Sequence, residues 1–179
     1  PLQFLLVLLA PAFGQTGTAQ SHLEKNDVGV GDVFLFFGLF ALPGGQDRHH
    51  RIFGYLEIEE ILRLGSNPSR GDNPIGFSRR HPHTIGIWNK NNTLYLGSGA
   101  KARTAQAILR LTKPGARASV WSVPRWLRRA GLTYHYNPSR WVCDTELDAS
   151  PRGQEFVSDI GNDREPMIWL RAIQSAIRE

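Results

Sequence analysis

Sulfur is scarce in this chain: one cysteine, Cys143, and one methionine in 179 residues. That excludes an internal disulfide framework and a cysteine-built zinc site. Long apolar runs are missing too. The N-terminal stretch Phe4–Ala10 is seven residues, far short of the roughly 20 that a membrane-spanning helix needs. GxxxxGK[ST], a helix-opening GxGxxG, GxSxG and HExxH are all absent, so no familiar catalytic class declares itself. Leu96-Gly97-Ser98-Gly99-Ala100-Lys101 is glycine-rich and ends in a cation, but its spacing is wrong for a phosphate-cradling loop. The most telling absence is a charge. No Asp or Glu occurs between Asp72 and Asp144.

Those 71 residues carry 12 cations: Arg79, Arg80, Lys90, Lys101, Arg103, Arg110, Lys113, Arg117, Arg125, Arg128, Arg129 and Arg140. The stretch 144–179 reverses the sign, with eight acids and four arginines. Over the whole chain the balance is +5. A body folded from the middle segment would have a positive field without internal counter-charge, and its guanidinium groups are expected to share one concave wall. Phosphate is the usual partner for such a wall. Aromatics interleave with the cations: Trp88, Tyr95, Trp121, Trp126, Tyr134, Tyr136 and Trp141. Stacking faces beside forked guanidinium groups suit an unpaired or flipped base, although tryptophans in a small domain also build core.

Hydrophobic residues make up 41%, enough for a real core, which excludes wholesale disorder. Gly29–Asp32 reads as a turn and Val33–Phe37 as a buried strand. Arg51–Ile58 reads as a second strand, and Glu59–Arg63 as one helical turn. A Gly/Pro/Ser/Asn-rich loop follows from Gly65 to about Phe77, long enough to suggest function. Thr84–Trp88 and Thr93–Leu96, about Asn89–Asn92, have the pattern of a hairpin. Further strands are expected at Ile108–Thr112, Ser119–Ser122, Leu132–Tyr136 and Trp141–Cys143. Ser122, Pro124 and Gly131 bracket a short helix, its arginines 128 and 129 suited to the negative end of the dipole. Trp169, Ile173 and Ile177 recur at helical spacing in a C-terminal helix from about Pro166 to Arg178, capped by Asp163. The sum is a single α+β domain over 13–179 with a mixed sheet and flanking helices. Residues 1–12 are set apart as an apolar leader or the remnant of a longer chain rather than a secretory signal, since no basic residue precedes the run. No membrane partner is expected, and the cytoplasm is the expected location.

Two clusters carry candidate chemistry. In Ser78-Arg79-Arg80-His81-Pro82-His83, Pro82 pushes His81 towards extended geometry, and alternate residues of an extended chain share a face. His81, Arg79 and Arg80 suit an anion, and His83 a proton carrier. A metal would need a third ligand, and no carboxylate stands nearby. The second cluster, Gly153-Gln154-Glu155-Phe156-Val157, pairs an amide with a carboxylate that can read a base edge. Glu155 can also serve as an acid or base.

Phe13-Gly14-Gln15 with Ala19-Gln20-Ser21-His22-Leu23, Val28-Gly29-Val30-Gly31-Asp32-Val33-Phe34-Leu35-Phe36-Phe37-Gly38, Gly54-Tyr55-Leu56, His81-Pro82-His83, Asn92-Thr93-Leu94-Tyr95, Trp121–Trp126 and Gly153–Val157 follow one another along the chain. Together they resemble a family of bacteria and phages called nucleotide modification associated domain 3. The resemblance runs from about residue 12 to the end. Members of that family carry a further N-terminal stretch where PLQFLLVLL stands here. The resemblance implies a place among systems that make or handle modified DNA bases. A weaker likeness, the glycine-aspartate turn feeding an aromatic strand and then GYLEIEEIL, is to PUA, ASCH and EVE-type domains. It implies a partly barrel-like sheet. On this reading DNA or a nucleotide is the partner, and other proteins of a base-modification system are candidate partners. Phosphates would lie on Arg79, Arg80, Arg128 and Arg129, a base against Trp126 or Trp141, and Gln154 and Glu155 at its edge. His83 and Glu155 would carry protons if bonds are made. The alternative is a small hydrolase or transferase acting on a free nucleotide or sugar phosphate. Enzyme and binding module both remain open, and no cofactor is indicated.

Overall fold

Aromatic and branched side chains fill a pleated surface well, and the run beginning at Val33 forms a strand as its pattern predicts. In the computed structural model, which describes residues 11–41, 43–74, 77, 79–149 and 155–179, that strand is β2 (Val33–Phe40). With β1 (Ala12–Gln15), β3 (His49–Arg63) and β4 (Thr93–Lys101) it makes a four-stranded sheet in the order β1-β4-β3-β2. The sheet is antiparallel and curled as a half-barrel, so the α+β class and barrel-like curl agree with the sequence. The strand directions are simpler than the mixed sheet expected. A second, antiparallel sheet is built from β5 (Val120–Ser122), β6 (Trp141–Cys143) and β7 (Glu146–Asp148), ordered β5-β7-β6. Three helices complete the described residues: α1 (Gly17–Lys25), α2 (Arg125–Ala130) and α3 (Arg164–Arg178).

The chain divides into two compact units. One takes the residues up to Phe34 together with Leu56–Gly99; the other takes Leu35–Tyr55 and Ala100–Glu179. The core of the first unit gathers Leu23, Leu56, Ile58, Leu94 and Tyr95. The Phe13 and Tyr95 rings each meet Phe34 at 5.0 Å, edge to face. The Tyr95 hydroxyl donates to Gln20 Oε1 at 3.0 Å, and burial holds it above the usual phenol range. Asn91 closes the start of α1 in place of a cap from Thr16. Its Oδ1 accepts the Gly17 N–H at 2.8 Å, and its Nδ2 donates to the Gly17 carbonyl and Ser21 Oγ.

In the second unit Trp121, Val123, Leu132, Leu147 and Ala149 are buried, with Phe37, Leu111, Leu127, Trp141 and Phe156 packed on them. Helix α3 turns Ile173, Ala176 and Ile177 inward, and Asp163 accepts from the Glu165 N–H as its cap.

Several local expectations give way. Glu59–Arg63 continues β3 rather than turning helical, because strand pairing outweighs the weak helical preference of five residues. Residues 84–88 make a 3₁₀ turn and loop instead of a hairpin arm, while β4 pairs with β1, Phe13 facing Tyr95. Ala107–Leu109 is a 3₁₀ turn followed by single bridges at Arg110 and Thr112. Leu132–Tyr136 is a turn, with Tyr134 at φ 65. Strands β1 and β7 and helix α1 had no clear pattern: two are four and three residues long, and α1 buries only Gln20 and Leu23.

Candidate functional site

Pro82-His83-Thr84 forms one 3₁₀ turn, and His81 caps it with its own ring, Nδ1 accepting the His83 N–H at 3.2 Å. The two imidazoles are neighbours, 5.7 Å apart at 46°. A turn, not an extended strand, brings them together. Beneath them lies Asn92, fully buried. Its Nδ2 donates to the His83 carbonyl at 2.9 Å, which turns Oδ1 towards His83 Nδ1 at 2.6 Å. An amide oxygen can only accept, so Nδ1 carries a proton, and the tautomer this selects for the neutral imidazole is the one with Nε2 bare. The ring is also held flat. The Trp88 indole stacks on it at 4.2 Å and 13°, with Trp88 Nε1 donating to the Ile85 carbonyl at 2.8 Å. Gly14 backs it so closely that a Cβ there would lie 2.3–2.8 Å from ring atoms. His81 has the complementary tautomer, Nδ1 bare and Nε2 protonated. Burial first, then the neighbouring His83, holds its pKa below the usual imidazole range.

Arg80 and Asn73 tie this turn to the preceding loop. Arg80 donates to the carbonyls of Ser69 and Thr84, and its buried Nε has no partner. Its guanidinium is therefore committed to backbone, not presented to an anion as expected, while Arg79 is exposed. Asn73 Oδ1 accepts the His81 N–H at 2.9 Å. Asn73 also lines a cleft of about 670 Å³ with Leu62, Asp72, Phe77 and Leu96. No group of three or more His, Cys, Asp or Glu among the described residues can hold a metal.

The second unit brings two other expected residues together. Arg128 and Trp141 share a cavity of about 180 Å³ with Gly131, His135, Tyr136 and Pro138. Trp141 is fixed by Nε1–H donating to the His135 carbonyl at 2.9 Å. His135 is buried, and burial lowers its pKa. Trp126 is core instead: 5% exposed, edge to face with Trp169 at 5.6 Å, it offers no open face to a base. Glu155 is half-buried in this unit, whereas His83 belongs to the first; Gln154 lies outside the described residues.

The uncountered wall of cations is corrected by the ion pairs. Six of the twelve meet carboxylates: Arg110 with Asp47 at 2.7 Å, Lys113 with Glu146 at 2.5 Å and Arg117 with Asp148 at 2.7 Å. Arg128 meets Asp144 at 2.7 Å, Arg125 the same carboxylate at 3.4 Å, and Arg129 meets Glu165 at 3.2 Å. For Lys113 and Arg117 strand pairing is the cause. β7 carries its acids into register with β5, Asp148 opposite Val120 and Glu146 opposite Ser122, so acids distant in sequence become neighbours of the basic stretch.

Sequence reasoning passed over Asn92, Trp88 and Gly14, which lock His83, and Tyr136, which lines the second cavity. Asn92 reads as turn, Trp88 and Tyr136 as interleaved aromatics, and Gly14 only as part of the family string. The pairing of β1 with β4 sets Gly14 behind His83.

No curated protein and no solved structure matches this chain. No helix among the described residues is long and apolar enough to cross a membrane. The sequence model of one family, described as nucleotide modification associated domain 3, matches residues 3–159. That span takes in the His81–His83 turn, the residues that lock it and the Arg128–Trp141 cavity, and on it the chain belongs to the nucleotide modification associated domain 3 family.

Proposed function

We propose that this domain handles a nucleotide in a base-modification system, recognising a modified base or helping to make it. One observation carries the reading: Arg128 and Trp141, expected to bind phosphate and base, line a single cavity with Tyr136. At about 180 Å³ the cavity is smaller than the ~300 Å³ at which drug-sized pockets begin, and it suits one flat ring. The base lies against Trp141 and its phosphate on Arg128. The exposed Arg128–Asp144 pair is of a kind worth about 0–1 kcal/mol, so a phosphate can replace the carboxylate. Arg129 and Glu155 in the same unit are candidates for further binding roles, as is Gln154 for the base edge.

The test is a titration of the protein with mononucleotides and with modified and unmodified single-stranded DNA at two salt concentrations, read by tryptophan fluorescence. Binding that falls about 5- to 150-fold in Trp141→Leu, the span of one missing base–aromatic stack, is the expected result. Failure of every nucleotide and DNA to bind overturns the reading. A loss on the order of 10³-fold between about 50 and 200 mM salt marks a polynucleotide groove; a much smaller loss marks a mononucleotide pocket.

The second reading, a hydrolase or transferase acting on a free nucleotide or sugar phosphate, is favoured by the bare, oriented Nε2 of His83. A fixed imidazole with one free nitrogen is the usual form of a general base. His83→Gln separates the two: turnover abolished with binding retained makes the protein an enzyme, whereas unchanged turnover removes His83 from any chemistry.

A further inference from the structure

We infer that Arg125 and Arg128 clamp a phosphate monoester with Asp144 as its resident competitor, so that the Arg128–Trp141 cavity takes a free mononucleotide and not a nucleotide inside a strand. This rests on the base-handling reading above and narrows it to one substrate class. Arg125 and Arg128 stand three residues apart on α2, a spacing that puts both side chains on one side of a helix. They converge on a single carboxylate. Arg128 Nη1 donates to Asp144 Oδ1 at 2.7 Å, and Arg125 Nη2 reaches Oδ2 of the same group at 3.4 Å. Guanidinium groups on each oxygen of one anion are an arrangement that also suits phosphate. The anion is held at the cavity. Arg128 is part of the cavity wall, and Asp144 directly follows β6, the strand that starts at Trp141 in the same wall.

Asp144 is well placed to be exchanged. Its carboxylate enters no ion pair other than these two among the described residues. Side-chain exposures of 74% for Arg125, 41% for Arg128 and 53% for Asp144 leave the cluster in water, where such pairs add little stability. Two cations share one anion, so a positive charge remains even with Asp144 in place. Tethering makes the competition selective. A carboxylate fixed beside its partners acts as though present at about millimolar concentration. A phosphodiester carries the same single charge and gains nothing by replacing it. A monoester carries about −1.5 to −2 at pH 7 and has three acceptor oxygens, so it attracts the two guanidinium groups more strongly than the carboxylate does. Nucleotides inside a strand offer only diesters.

The experiment is calorimetric titration of the full chain with a 2′-deoxynucleoside, its 5′-monophosphate and the methyl ester of that monophosphate, for each of the common bases. The monophosphate should bind about tenfold or more tightly than its ester, and the preference should shrink below pH ~6, where the monoester takes up its second proton. Asp144→Asn should tighten the ester by up to about fivefold. Arg125→Gln should weaken the monophosphate about tenfold. Both changes are at exposed side chains, and unchanged nucleoside binding reports that the cavity is intact. An ester that binds as well as the monophosphate, an Asp144→Asn protein that gains nothing, or one that gains equally for the nucleoside would each overturn the clamp. Nucleotide handling survives those outcomes as long as Trp141→Leu still weakens binding. If no ligand binds, the base-handling reading falls and the clamp falls with it.

Discussion

Asn92 is the residue on which the histidine turn depends. Its side chain makes two bonds to His83, and its backbone accepts from Leu64 and Gly65. Replacing it with Ala leaves a buried N–H and carbonyl unmet, at a cost of about 1–3 kcal/mol, which urea unfolding should report. Long-range ¹H–¹⁵N spectra of the wild type should show His83 protonated on Nδ1, and that preference should disappear in Asn92→Ala. A spectrum with the proton on Nε2 in the wild type would remove the case for His83 as a base. Gly14→Ala makes an independent test of the same ring: a methyl closer than 3 Å to the imidazole must push it off Trp88. The His-Pro-His string was visible in the sequence as candidate chemistry. The tautomer was not, because it comes from an asparagine nine residues away that reads as part of a turn.

Elements divide by how much of their stability is local. Helix α3 was legible from its apolar spacing and cap, and β2 from its unbroken aromatic run. Helix α2 was legible from its bounding Pro124 and Gly131. Gly131 ends α2 at φ 84 and ψ 156, a region open essentially to glycine alone. Gly131→Ala should cost about 1–3 kcal/mol and lower the melting temperature while leaving α3 formed. A wild-type melting curve in that variant would mean the turn relaxes freely. The segments misread, Glu59–Arg63 and residues 84–88, are those whose conformation is set by the neighbour they pair with or the loop they close. Short strands such as β7 carry too few residues for any pattern to show.

At the scale of the whole molecule, three histidines share one response to acid. Burial is the main cause holding His50, His81 and His135 below the usual imidazole pKa. The unfolded chain therefore takes up protons near pH ~6.5 that the folded protein resists. Their contribution to stability is complete above that pH and is lost as pH falls towards the folded values. The melting temperature should drop between about pH 7.5 and 5.5. His50 has an added reason: its Nδ1 accepts the Trp121 indole N–H at 2.9 Å, and a proton there sets donor against donor. His50→Gln should flatten part of the slope, and a flat melting profile in the wild type would contradict the burial argument.

From the sequence alone came the α+β class, the family resemblance, the aromatic strand β2 and the C-terminal helix, and the residues worth suspecting. These depend on local period, composition and turn chemistry, which a linear string records directly. Tertiary structure decided which suspects meet. It buried Trp126, spent Arg80 on backbone carbonyls, joined Arg128 to Trp141, and pressed His83 between Gly14 and Trp88. It also countered six of the twelve cations of the basic stretch, two of them because strand register carries acids across about thirty residues of chain. Charge along a sequence counts residues, whereas charge on a surface depends on which strands lie side by side.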